Sequence, residues 1–280
     1  MSAAGVTLVL SGGGAKTAAH IGAARAIEEA GMFPLRYVAS SMGAVVAAAL
    51  ASGADRAALP GRLAEVGSTG VVRDSFALVR GLFARSLLRA APFRRAVEQL
   101  VAARRFADLS VPVTVSVVDL DSGERLLFGE GGEDAPLVDV LCATCALPVY
   151  FPAATLAGRR CGDGGLRGPL PLDAAAPLAR ETVMAVDVGP GFDAVDAGPD
   201  KRLGAIPPVV RAHDDAVGIL MANATAAQLA LWRAEAGRPP LVYLRPRVER
   251  SATFRLDRVG RYVEDGYRAT HNALAAAGRP

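Results

Sequence analysis

The chain has 280 residues, near the upper size at which one hydrophobic core still serves, so a single domain is expected over 1–280. It is 51% hydrophobic but only 5% aromatic, and its interior must therefore be built largely from Ala, Val and Leu. A formal charge of +3, with Arg and acidic residues mixed along most of the chain, argues against a nucleic-acid partner.

Val6 to Leu10 is a continuous apolar run that reads as a buried strand, and it enters the loop Ser11-Gly-Gly-Gly14. A helix is expected from about Ala18 to Ala30, with Gly31 placed to end it in a left-handed conformation. A short strand at Tyr37–Ala39, a sharp turn at Ser40–Gly43 and a small-residue helix at Ala44–Ala51 follow. Helical patterns rich in Arg fill 55–105 as an insertion; its stretch from Arg80 to Arg105 reads as a solvated helix face, or else as a surface for anionic lipid. Next come a strand at Val113–Val118, a hairpin turn at Asp121–Gly123 into Arg125–Phe128, and a helix from Pro136 to Ala146 stopped by Pro148. Gly162–Gly165 is a second glycine turn, Val183–Val188 another buried strand, and Asp193–Gly204 a polar loop. A long helix at 207–236, a strand at 241–245 and a closing helix at 258–277 complete the chain. Alternating helices and fully apolar strands predict a three-layer α/β/α fold on a mostly parallel sheet.

The odd cysteine count (Cys142, Cys145, Cys161) argues against a disulfide framework and for a reducing compartment. Cys142 and Cys145 form a C-x-x-C with neither a second pair nor a histidine cluster, so they are read as buried small residues rather than metal ligands. No apolar run reaches the length of a membrane span, and no basic-apolar leader precedes the first strand. The expectation is a cytoplasmic protein whose membrane contact, if any, is peripheral.

In open α/β sheets, reactive groups gather where strands end, and three loops here carry suitable residues. Ser41, in Ala39-Ser-Ser-Met42-Gly43, stands between a strand and a helix N-terminus, close to the G-x-S-x-G elbow that forces a nucleophile into an exposed turn; an N-capping serine is the bland alternative. Gly12, Gly13 and Gly14 present successive backbone N–H groups before a helix, which suits a phosphate or an oxyanion. Lys16-Thr17 falls short of a P-loop because Ala15 stands where glycine is needed. Asp163, flanked by Gly162, Gly164 and Gly165, is either a turn former or a carboxylate brought close to another backbone. His20 reads as a packed residue, Asp119 and Asp121 as turn chemistry, and His213, His271 and Asp214-Asp215 as helix-face residues.

Taken in order, Ser11-Gly-Gly-Gly-Ala-Lys16, Ala19-His-Ile-Gly22, Ser40-Ser-Met-Gly-Ala44 and Cys161-Gly-Asp-Gly-Gly165 with Pro169-Leu-Pro171 resemble the patatin-like phospholipases. Asp119 to Gly123 and Ala146-Leu-Pro148 extend the resemblance, which covers most of residues 5–190. It implies a patatin-like fold and a lipid acyl-ester hydrolase with a Ser41–Asp163 dyad and no histidine. It implies further an oxyanion loop of Gly12, Gly13, Gly14 and Lys16, support from Met42, Gly43, Gly164 and Gly165, and neither metal nor organic cofactor. The substrate would be a lipid or fatty-acyl ester. Thr17 and Ala39 stand where the family usually has glycine, and a non-catalytic lipid-binding protein or a phosphate-binding module using Gly12–Thr17 are the alternatives.

Overall fold

The computed structural model describes residues 4–69, 86–191, 208–249, 253 and 255–277. β1 (Ala4–Leu10) is the buried strand its composition demands, and a 3-10 turn at Gly14–Thr17 leads from it into α1 (Ala18–Glu29). β2 (Met32–Ser40) runs without a break into α2 (Ser41–Ala51). The expected strand at 37–39 is thus the inner half of a longer one. Pro34 hid the outer half: it lacks an N–H, and the register of β1 with β2 slips between Val6 and Thr7, just where Pro34 and Leu35 pass.

The segment 55–105 contributes α3 (Leu59–Thr69) and α4 (Ala90–Leu100), while its residues 70–85, including Arg80 and Arg85, lie outside the described residues. β3 (Val113–Asp119), β4 (Arg125–Gly129) and α5 (Leu137–Thr144) follow much as expected. β5 (Ala154–Leu156) and β6 (Arg159–Gly162) form a hairpin that the sequence did not announce. Its two-residue turn puts both Ala157 and Gly158 at positive φ, and an alanine is not the residue by which such turns are recognised. α6 (Leu172–Ala175), β7 (Val183–Val186), α7 (Pro208–Ala234), β8 (Leu241–Leu244) and α8 (Val259–Ala276) complete the described elements. The polar loop expected at Asp193–Gly204 lies outside the described residues.

The strands form one eight-stranded sheet in the order β5-β6-β3-β2-β1-β7-β8, with β4 paired to β3. β3, β2, β1, β7 and β8 are mutually parallel, whereas β4, β5 and β6 are joined antiparallel. Alternate residues of β1 and β2 serve opposite layers. Leu8, Leu10 and Ala39 pack into the cluster that includes α1, α2 and α5, while Val9 and Val38 join Leu172, Leu229 and Trp232 on the other face. Burial of each such leucine contributes on the order of 2 kcal/mol. Helices on both faces of a mostly parallel sheet make this the expected three-layer α/β/α fold.

One detail of the topology places the site. On the edge of β3 opposite β4, β2 pairs as far as Ser40–Ser116 and then leaves; β6 takes over that edge at Val118–Gly162. The residue after Ser40 and the residue after Gly162 therefore emerge side by side.

Candidate active site

Those two residues are Ser41 and Asp163. The Ser41 Oγ–H donates to Asp163 Oδ2 at 2.8 Å. Ser41 is held at φ 51, a left-handed conformation that non-glycine residues seldom adopt and that projects the side chain out of the turn at the head of α2. Its own N–H donates to Thr144 Oγ1 at 2.8 Å, and the Thr144 hydroxyl donates in turn to the Ser116 carbonyl at 2.6 Å, so the end of α5 and the strand β3 together clamp the turn. Gly43 permits this packing: a Cβ there would come within 2.3 Å of the Ser11 carbonyl oxygen. Ser40 is fully buried and points the other way, donating from Oγ to the Pro169 carbonyl at 2.6 Å. Its hydroxyl also accepts the Gly12 N–H at 3.2 Å, so it ties the glycine loop to Pro169.

Asp163 is buried, with Oδ1 accepting the Gly165 N–H at 2.7 Å and Oδ2 facing the serine. Burial pushes its carboxyl up to about 6, and the hydrogen bonds from Gly165 and Ser41 offset only part of that rise. It remains ionised at neutral pH, and it is a much better proton acceptor than an exposed aspartate. Gly164 packs with a would-be Cβ 2.0 Å from the Ser116 carbonyl oxygen, and Gly165 lies against Met221 of α7. Cys145, at the end of α5, is buried beside Asp163 with its thiol pushed well up by burial. Cys142 and Cys161 are likewise free thiols.

The glycine loop closes the third side. A Cβ on Gly12 would meet Ser41 Cβ at 2.9 Å, so the loop passes directly against the serine. Gly12 N–H is already spent on the Pro169 carbonyl at 2.9 Å. Gly14 has φ +60 with the Thr253 carbonyl oxygen where a Cβ would go, and Ala15 N–H donates to that same oxygen at 2.7 Å. Among the described residues the N–H groups of Gly13 and Gly14 have no acceptor. The N–H of Met42 belongs to the first turn of α2, where backbone donors have no intrahelical partner and the helix dipole is positive. These donors, and not all four members of the expected oxyanion loop, are the ones free to meet a developing negative charge.

Lys16 lies in the 3-10 turn between the glycine loop and α1. It is buried, with Nζ donating toward the Gly189 carbonyl at 3.5 Å, and burial lowers it to about 8 despite the pull of Asp187. A four-carbon stem in a 3-10 turn that packs inward carries the ammonium under the loop. Asp187 itself accepts from Gly189 N–H at 2.8 Å, from Tyr243 Oη at 2.7 Å and from Arg245. His20 is fully buried with Nε2 donating to the Ser11 carbonyl at 2.8 Å, and burial depresses it to about 4; it is the neutral, packed residue expected. Asp119 accepts from Asp121 N–H at 2.8 Å, the anticipated turn chemistry. Asp214, read as a solvated helix face, instead accepts from the Tyr150 hydroxyl. Sequence reasoning missed Thr144, Ser116 and Asp187, none of which belongs to a recognisable spacing; the Pro169–Pro171 motif was noticed, and its Pro169 carbonyl proves to be the common acceptor for Gly12 and Ser40.

The family model for the patatin-like phospholipases matches residues 8–176. An uncharacterized NTE-family protein of Mycobacterium tuberculosis is 31% identical over 198 residues, covering 68% of this chain and 52% of that protein. The human patatin-like phospholipase domain-containing protein 6 is 29% identical over 189 residues, 66% of this chain but only 13% of its own length. The chain thus spans about half or less of these relatives. Among solved structures, VipD of Legionella pneumophila aligns over 99% of this chain and 67% of its own, with TM-score 0.48 and 15% identity.

Proposed function

Since the chain belongs to the patatin-like phospholipase family, we propose that it is a serine-dependent lipid acyl-ester hydrolase with Ser41 as nucleophile and Asp163 as its base. The observation that carries this reading is the 2.8 Å hydrogen bond from Ser41 Oγ to Asp163 Oδ2, made by a serine in a strained left-handed turn and a carboxylate raised toward neutrality. As Ser41 Oγ attacks an ester carbonyl, its proton passes to Asp163 Oδ2. The carbonyl oxygen becomes an oxyanion, stabilised by the N–H groups of Gly13 and Gly14 and by the head of α2 at Met42. Asp163 then protonates the departing alcohol, leaving an acyl-serine. A water molecule, deprotonated by the same carboxylate, attacks that ester and releases the fatty acid and the free serine. Each group thereby returns to its starting protonation state.

The phosphate-binding alternative is weakened by two contacts. Gly12 N–H is already satisfied by Pro169, and the Lys16 ammonium donates toward the Gly189 carbonyl. Among the described residues no helix is long and apolar enough to cross a membrane. The test is a fluorophosphonate probe followed by peptide mapping, together with hydrolysis of short acyl esters by the wild type and Ser41→Ala. Labelling of Ser41 and loss of turnover in the variant are expected. Lipid binding without labelling or turnover would favour a non-catalytic binding protein.

A further inference from the structure

α7 is 27 residues long, roughly 40 Å at 1.5 Å per residue, and among the described residues only one of its faces is packed. The inner face is fixed to the rest of the molecule. Val210 packs with Leu88 and Tyr150, Asp214 accepts from Tyr150, Met221 lies against Gly165, and Leu229 and Trp232 enter the core.

The opposite face is largely apolar, and none of the described residues covers it. Val209 is 75% exposed, Leu220 67% and Leu231 67%, with Ile219 beside them at 47%. The other exposed positions on that face are alanines apart from Asn223, with the partly exposed His213 between Val209 and Leu220; Asp215 and Arg233 stand at its borders. Monomeric proteins keep large aliphatic side chains this exposed mainly where something binds.

The spacing says what binds. Val209, Leu220 and Leu231 recur at one interval of eleven residues, which is three helical turns to within a few tens of degrees, so they lie in line along the helix. Three evenly spaced knobs along a line are self-complementary when the line is reversed about its middle member. A second, antiparallel copy would set Leu220 on Leu220, and Val209 on the partner's Leu231. The alanines between them allow two helix backbones to approach closely. The four large side chains expose on the order of 400 Å² per protomer, and with the alanines a helix pair of this length clears the ~1,000 Å² total that a specific interface needs. A bilayer would use large side chains at every turn, and alanine adds little to partition into lipid.

We propose that the outer face of α7 is a dimer interface, on which two copies of this chain pack antiparallel about a two-fold axis at Leu220. The pairing does not depend on the chemistry at Ser41, although it would brace the helix whose Met221 lies against Gly165.

The test uses the full chain in three measurements. Sedimentation velocity at about 100 µM, above the Kd of a modest interface, should show a concentration-dependent dimer, and Leu220→Glu should return it to monomer with an unchanged circular-dichroism spectrum. In a Cys142→Ser background, Leu220→Cys should cross-link to itself with a short bismaleimide; Val209→Cys should cross-link only when mixed with Leu231→Cys. A wild type that is monomeric at that concentration overturns the proposal, as does self-cross-linking of Val209→Cys, which would mean parallel packing. So does a monomer that co-sediments with phosphatidylglycerol vesicles and loses that binding in Leu220→Glu, an outcome that would assign the face to lipid.

Discussion

Asp163→Asn separates chemistry from stability, because the two should move in opposite directions. An amide keeps both contacts: its oxygen accepts the Gly165 N–H, and its nitrogen faces the Ser41 hydroxyl. It cannot take a proton, so turnover should fall by about 10²–10⁴-fold. The same substitution removes a buried charge. Burial holds the carboxyl near 6 in the fold, against an ordinary 3.8, and that gap corresponds to on the order of 3 kcal/mol spent on keeping it ionised. The sign follows from proton binding. Between 3.8 and about 6 the folded state holds more protons than the unfolded one, so Asp163 costs nothing at low pH, and its cost grows as pH rises through that window to its full value above it. Asp163→Asn should therefore melt a few degrees above the wild type at pH 8 and level with it near pH 4. Calorimetry across that range and steady-state kinetics on a short acyl ester measure both effects. An inactive variant that is also less stable at pH 8 would mean that the carboxylate holds the turn together, and the case for it as base would rest on geometry alone. An active variant would refute the dyad. In an active wild type, the acid limb of kcat/KM should fall near pH 6, the ionisation of the free enzyme's base.

Other perturbations test neighbouring parts of the site. Replacing Gly14, at φ +60 against the Thr253 carbonyl oxygen, by valine should lower kcat by about 10²–10³-fold with little change in KM; a pure KM effect would count against an oxyanion role. Thr144→Val removes the acceptor of Ser41 N–H and the bond to Ser116, and should cost on the order of 1–3 kcal/mol of stability along with part of kcat, while unchanged thermal and kinetic parameters would remove Thr144 from the site. His213→Ala and His271→Ala should retain full activity, and a histidine whose loss abolishes turnover at unchanged stability would point to a triad instead. His20, depressed to about 4 by burial, opposes Asp163 in its pH dependence. Its neutral form is favoured by the fold, so its stabilisation is complete above 6.5 and lost as pH falls toward 4, and a His20→Gln variant that still folds should lose stability less steeply over that range.

Much of this molecule was written locally. The apolar runs of β1, β3 and β7, buried on both faces, could only be inner strands of a covered sheet, and glycines where no Cβ fits marked the three loops that meet at the site. Ser41 and Asp163 were legible as candidates because each lies in a turn whose flanking small residues serve one backbone shape. What the chain could not disclose locally was whatever depends on which edge meets which. β5 and β6 are short, and their turn carries an alanine in a glycine's conformation, yet their pairing to β3 is what carries Asp163 to Ser41. The direction of Lys16 was decided by Asp187 and Gly189 far along the chain, and the roles of Thr144 and Pro169 by hydrogen bonds spanning more than a hundred residues. Residue type and spacing fix what a segment can do; which donor finds which acceptor is settled only when the sheet has closed and burial has made an unpaired polar group costly.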